Sequence, residues 1–207
     1  MKLIVVGAGG HGKVVIATAR AAGREVIRVL DDDPARVGTV FCGVTVEGPI
    51  HAALAISPEA EVVIGIGDNR TRSRLAASIS ATFATIVHPF SWMAADVNLG
   101  EGTVVFAGSV VHPGALIGRH CVLNTACSVD HDCTLGDFSQ VAPGAHLAGA
   151  VRVGEGAYIG MGSCVIQTLE GGAWSTVGAG AAVVRNVPPD VVVKGVPARP
   201  NDQLPVA

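Results

Sequence analysis

Two hydrophobic rhythms divide the chain, and they meet near residue 87. Before it, short apolar runs alternate with segments of helical period. LIVVG (3–7) reads as a buried strand and KVVIATARAAG (13–23) as a helix stopped at Gly23. EVIRVLD (25–31) and EVVIGIGDN (61–69) supply two more strands. A polar helix follows from about Arg70 to Ser80, and TFATIV (82–87) is predicted as a fourth strand. Strands separated by helices imply a parallel sheet with right-handed crossovers.

From Val87 the period becomes six. Every sixth residue through Met93, Leu99, Val105 and onward to Val183 is apolar, with Gly171 the exception. Four places after each comes a mostly small residue, among them Ser109, Ala115, Cys121, Cys127, Cys133 and Ser139. A helix turns about 100° per residue, so positions six apart drift around its surface. Keeping the register requires coils that stack like positions on one another, each burying its apolar face against its neighbours. Glycines directly after the apolar position (Gly100, Gly118, Gly136, Gly154, Gly160, Gly178) predict corners where a Cβ would clash. At Gly171, with Trp174 close by, the pattern predicts a bulged coil or a packing gap capped by the aromatic. The domains expected are an α/β domain over 1–86 and a β-helix with its C-terminal tail over 87–207.

Composition narrows the function. Apolar residues are 49% of the chain but aromatics only 4%, so Val, Ile, Leu and Ala must fill the core. A net charge of −3 without any Lys/Arg run gives no footprint for nucleic acid or a membrane surface. MKLIVVGAGGHG breaks at Gly7, too early for a signal peptide, and no apolar window reaches the roughly 18 residues of a membrane span. Five cysteines without a CxxC pair argue against a disulfide framework or a zinc ribbon, and a cytoplasmic protein is expected.

Two motifs carry candidate chemistry. GAGGHG (7–12) has the G-x-G-x-x-G spacing after a strand and before a helix, with Asp31 and Asp32 about 20 residues on. Gly9 and Gly10 would let backbone approach a phosphate at the helix N-terminus, and His11 could hydrogen-bond phosphate or sugar. Asp31, Asp32 and the loop Gly67-Asp68-Asn69 follow strand ends, where open α/β sheets bind ligands. An 86-residue half is too short for both mononucleotide folds of an NAD site. Tight structural turns and solvated acids are the plain alternatives for these residues. The second motif, NTACSVDHDCTLG (124–136), sets His131 between Asp130 and Asp132. Val129 and Cys133 fall in inward slots, so His131 and Asp132 project outwards. An aspartate on one ring nitrogen raises the imidazole pKa and its strength as a base. A solvated turn histidine is the bland alternative.

The hexapeptides L-G-E-G-T-V, I-G-R-H-C-V and V-G-E-G-A-Y resemble the left-handed parallel β-helix of hexapeptide-repeat acyltransferases. With GAGGHGKVV, IGDN, VDHDC and GVPAR in order, the whole chain resembles the bacterial sugar acetyltransferases of the sialic-acid O-acetyltransferase and bacillosamine N-acetyltransferase group. The resemblance implies a Rossmann-like N-terminal domain that binds a nucleotide-sugar, acetyl-CoA as cosubstrate, and a homotrimer with active sites between subunits. It implies His131 as general base, Asp132 as its acidic partner, and Asn124 near the acceptor sugar. Gly149 would donate its N–H to the thioester carbonyl, and Met161 and Ala179 would line the donor path. Gln140 stands where some members carry a histidine; it can hydrogen-bond there but carries no charge. Lys194 and Arg199 beside GVPAR could meet CoA phosphates or be solvated. No metal is expected, because no two histidines lie five apart as in the related γ-type carbonic anhydrases. The activity implied is N-acetylation of a nucleotide-linked amino sugar, a 4-amino-4,6-dideoxyhexose. O-acetylation of a sugar such as sialic acid, or a non-catalytic nucleotide-sugar-binding scaffold, are the alternatives.

Overall fold

A computed structural model describes residues 2–51 and 60–201 of the chain. They form two compact units, Met1–Pro89 and Phe90–Ala207. In the first, β1 (Lys2–Val6), β2 (Glu25–Leu30), β3 (Val40–Phe41), β4 (Val44–Glu47) and β5 (Glu61–Ile64) make one sheet in the order β3-β4-β2-β1-β5. Strand β1 lies between β2 and β5, parallel to both, so the chain reverses its direction of travel across the sheet at β1. Leu3, Ile4, Val5 and Val6 are each 1% exposed or less, which accounts for their unbroken apolar run.

Helix α1 (Gly10–Ala21) begins three residues earlier than its periodicity suggests, because Gly9 already serves as N-cap. Helix α2 (Asn69–Ser78) is capped by Asp68, whose Oδ1 accepts the Thr71 N–H at 2.7 Å. The sequence reading missed the hairpin β3–β4, where the turn at Cys42-Gly43 has φ of 51° and 79°. It also overextended the fourth strand. Only Ile86–Val87 is a regular strand there, and Phe83 makes an isolated bridge to Val62.

The second unit is a left-handed parallel β-helix. Up to Val183 its strands are two residues long and pair in parallel with strands 18 residues away: Val110↔Ser128, Leu116↔Thr134, Val122↔Gln140. Three sheets therefore form the sides of a prism, and three corners close every coil. In each strand the second residue points inwards: Val111, Val129 and Val141 are 0% exposed. Thr103, Ser109, Cys121, Cys127, Cys133 and Ser139 fill the last corner position, again nearly inaccessible. Burial pushes the Cys127 thiol up to about 11 and raises that of Cys133, so both stay protonated packing groups.

The corners explain two sets of glycines. At the first corner position the coils nearly touch: a Cβ on Gly118 would lie 2.7 Å from the Asp137 nitrogen. The third position takes positive φ from corner 100–103 through corner 178–181. Gly102, Gly108, Gly114, His120, Ala126, Asp132, Phe138 and Gly156 all occupy it, a regularity the sequence reading did not extract. Gly171, by contrast, pairs in ordinary register with Val153, so no bulge exists there. Trp174 lies over Gly156, one coil before its own, and not over Gly171.

At Gly156 a side chain would meet both an unfavourable φ of 63° and the Trp174 ring. Gly156→Ala should therefore cost about 1–3 kcal/mol in chemical denaturation. Trp174→Ala in the same chain should return part of that loss, whereas simple additivity would show that the ring is not the obstacle.

Candidate active site

In the second unit the predicted residues other than Gln140 fall on two of the three prism edges. Edge one runs through corners 124–127, 142–145, 160–163 and 178–181; edge two runs through 112–115, 130–133, 148–151 and 166–169. His131 and Asp132 sit on edge two with side chains 60% and 69% exposed. Asp132 holds φ at 59°, a conformation that aspartate tolerates better than most residues. From there its Oδ2 lies 2.8 Å from His131 Nδ1. Asp130 turns back on the chain, and its Oδ1 accepts the His131 N–H at 2.7 Å. Nδ1 is thus committed to a carboxylate, which leaves Nε2 as the acceptor nitrogen. The Asp132 hydrogen bond, helped by the charges of Asp130 and Asp132, holds His131 above its ordinary pKa.

Gly149 lies one coil on, directly above His131. A Cβ there would fall 2.5 Å from both His131 Nε2 and Cε1, so only glycine leaves the imidazole its place. The Gly149 carbonyl accepts the Thr168 N–H at 3.0 Å, and its own N–H donates to no acceptor among the described residues. A free backbone donor beside a basic nitrogen is the arrangement an acyl transfer needs.

Asn124, Met161 and Ala179 align on edge one. Asn124 Oδ1 accepts the Thr125 N–H at 2.8 Å, which fixes the side chain at its corner. Met161 is 57% exposed and Ala179, one coil further, is exposed too. Lys194 stacks above Gly178 on the same edge, and the antiparallel pairing of Val192–Lys194 with Arg199–Pro200 puts Arg199 opposite Lys194. Two cations facing each other repel unless an anion joins them. Gln140 is elsewhere: it belongs to a side of the prism, pairs with Val122 and Tyr158, and is 6% exposed. Within one chain, then, Asn124, Gln140, Met161 and Ala179 are not brought to His131.

In the first unit, the loops after β1, β2 and β5 all lie at the carboxyl ends of parallel strands. Gly12 packs against the Gly7 carbonyl and Gly65, a structural duty, whereas Gly10 has open space around it. Asp31 Oδ2 accepts the Ala8 N–H at 2.7 Å and ties the end of β2 to the glycine loop. Arg36 reaches towards the same carboxylate at 3.7 Å and lies beside Gly9. Asp32 turns away, its Oδ1 accepting the Ile50 N–H at 2.8 Å beside a cleft of about 390 Å3. His11 packs over Gly67, and burial with the nearby Arg72 charge pushes its pKa down to about 4.

Arg72 was not foreseen. It is 1% exposed, donates to the carbonyls of Ile66 and Gly67 at 3.1 and 3.2 Å, and donates to Asn69 Oδ1 at 2.7 Å. Asn69 and Asp68 therefore shape the loop and Gly67 remains at its surface beside His11. A buried arginine one turn into a polar helix carries no sequence signal that separates it from the solvated arginines around it.

A profile of the PglD N-terminal domain family matches residues 2–79. GDP-perosamine N-acetyltransferase of Escherichia coli O157:H7 is 32% identical over 152 residues, 70% of this chain and 69% of that protein. The acetyltransferase domain of PglB from Neisseria gonorrhoeae, solved with acetyl coenzyme A, is 38% identical and superposes with a TM-score of 0.88. That match spans 97% of this chain and 98% of the other. A histidine-to-asparagine mutant of perosamine N-acetyltransferase from Caulobacter crescentus, solved with CoA and GDP-perosamine, is 36% identical with a TM-score of 0.93 over 98% of each chain.

The chain belongs to the hexapeptide-repeat sugar acetyltransferases. The acyltransferase class and acetyl-CoA as the acyl donor, both expected from the sequence, are those of the family. Among the described residues of this sugar acetyltransferase, no group of three or more His, Cys, Asp or Glu side chains converges to hold a metal ion. Nor, among them, is any helix long and apolar enough to cross a membrane.

The two functional histidine candidates should titrate far apart. Followed by NMR of the ring Cε1–H signals, His131 should titrate above 6.5 and His11 near 4. Asp132→Asn should lower the His131 value and leave His11 where it was. An unchanged His131 titration in that variant would remove the hydrogen bond as the cause.

Proposed function

We propose that this sugar acetyltransferase transfers acetyl from acetyl-CoA to the amino group of a nucleotide-linked 4-amino-4,6-dideoxyhexose, GDP-perosamine being the first candidate. The observation that carries the reading is the stacked trio on edge two: Asp132 on Nδ1 of His131, and Gly149, its N–H unengaged among the described residues, stacked beside Nε2. Neutral His131 accepts a proton at Nε2 as the sugar amine attacks the thioester carbonyl and the C–N bond forms. The carbonyl oxygen becomes an oxyanion that Gly149 N–H stabilises. Collapse breaks the C–S bond, and the proton on His131 passes to the departing CoA thiolate. No acyl-enzyme is invoked, since Cys127 and Cys133 face inwards with raised pKa values.

Recognition divides between the units. We assign the nucleotide-sugar to Met1–Pro89, with Gly9, Gly10, His11, Asp31, Asp32 and Gly67 nearest the ligand and with Asp68 and Asn69 shaping its loop. Acetyl transfer belongs to Phe90–Ala207. Edge one, with Met161, Ala179 and the Lys194–Arg199 pair, supplies a path for CoA whose end offers two cations to phosphate. Edges one and two of a single prism face different directions. A cyclic homotrimer that sets edge one of one subunit against edge two of the next would unite Asn124, Met161 and Ala179 with His131 and Gly149. Gln140 is buried on the side of the prism that runs into edge one, and the reading gives it no proton-transfer duty. The reaction is assigned to the cytoplasm.

The test is release of CoA thiol from acetyl-CoA with GDP-, UDP- and dTDP-linked 3-amino and 4-amino sugars and with free sialic acid. Turnover with one nucleotide-linked amino sugar is expected. Turnover on sialic acid alone would move the activity to O-acetylation, and silence with every acceptor would favour a binding scaffold.

His131→Ala should lower kcat by about 10²–10⁴ with little change in thermal stability. Because His131 works unprotonated and its pKa is raised, the wild-type rate should climb with pH through that raised value. Asp132→Asn should shift the climb to lower pH and reduce the plateau, since a weaker, unoriented base remains. A pH profile identical to that of the wild type would contradict the role of Asp132.

A further inference from the structure

Gly149 stacks against the C-terminal side of His131, and an acceptor that leaves the space by Gly149 to the thioester lies on the opposite, N-terminal side of the coil stack. Two aromatic side chains that the reaction above does not use stand on that side. His112 stacks one coil below Asp130, because Val111 pairs with Val129. Trp92 lies one coil lower again, in the strand that pairs with Val110–Val111. Its ring meets the His112 ring edge-on, with centroids 5.5 Å apart at 62°. Trp92 is nonetheless 53% exposed, whereas large side chains in the coils above it are mostly buried or aliphatic. Pro113 and Gly114, both exposed, continue the shelf to a point beneath His131 and Asp132. Neighbouring strands lie about 4.8 Å apart, so Trp92 is about 10 Å below the level of His131, a span that an aminohexose covers across the outer face of the intervening His112–Gly114 coil.

We infer that Trp92, braced edge-on by His112, is the platform on which the acceptor hexose lays its C–H face while its amine reaches His131. The inference rests on the amino-sugar reading above and makes it more specific. A 4,6-dideoxyhexose suits such a platform. Its C6 methyl extends the apolar face, which an indole buries at little cost in polar groups. A hexose with a C6 hydroxyl presents a polar group to the same ring and loses that contact. The contact is remote from the bond being made, so it acts on acceptor binding and leaves the donor untouched.

The chain has two tryptophans, so a Trp174→Phe variant leaves Trp92 as the sole indole reporter. In that variant, a nucleotide-linked amino sugar that the wild type turns over, GDP-perosamine first, should shift Trp92 fluorescence at saturation. GDP alone should not. Trp92→Ala should raise KM for the amino sugar roughly tenfold and leave KM for acetyl-CoA within about twofold, while Trp92→Phe keeps most of the wild-type value. Fluorescence that stays flat during turnover, or an unchanged acceptor KM in Trp92→Ala, would overturn the platform and leave the amino-sugar reading standing. Dissociation of the assembly by Trp92→Ala, read from its mass in solution, would identify a subunit contact and overturn it too. Absence of wild-type turnover with every nucleotide-linked amino sugar would bring down the underlying reading, and the platform with it.

Discussion

The 18-residue coil is the constraint on which the second unit depends. A backbone hydrogen bond at nearly every strand position joins each coil to the next, as in Val110 N–H to Cys127 C=O and Ser128 N–H to Ala145 C=O, both near 3 Å. Those bonds fix which residues stack, and stacking decides everything outside as well as inside. Inside, valines, leucines and small corner residues fill a narrow prism with almost no aromatic volume. Outside, the same register puts Gly149 over His131 and Gly114 against Asp132. His131 is not held by a pocket. It is held by the vertical neighbours that the repeat supplies, and a one-residue slip would replace all of them.

Electrostatics then gives the two candidate histidines opposite characters. His131 is exposed, tied to Asp132, and raised; His11 is enclosed, near the Arg72 guanidinium, and lowered. The first holds a proton more readily than an ordinary histidine. The second stays uncharged near neutral pH, so it can offer a hydrogen bond without adding charge. The contrast fits a division of labour in which one histidine carries the proton and the other faces a ligand.

Much of this was legible in the residues. The period of six, the inward cysteines and the outward His131–Asp132 pair followed from stacking alone, since each depends only on residue number modulo the coil. What was not legible depended on long-range geometry. Arg72 reads as one of several arginines in a polar helix until its burial is known. The hairpin Val40–Glu47 hid because its strands are short and the first is largely exposed. Gly171 looked like a disruption, yet hydrogen bonds in a β-helix belong to the backbone, and a missing side chain leaves the register intact. Asn124 and His131 looked adjacent in sequence, but seven residues carry the chain along a side of the prism to a different edge.

The central claim is that edge two of one subunit works with edge one of the next. The most direct measurement mixes two inactive variants, His131→Ala on edge two and Ala179→Trp filling the donor path on edge one, by coexpressing them so that mixed assemblies form. If the halves of the site come from different subunits, activity should return in the mixture, with about a quarter of sites intact under random assembly. If both halves come from one chain, no subunit is whole and the mixture should stay inactive, which would contradict the account.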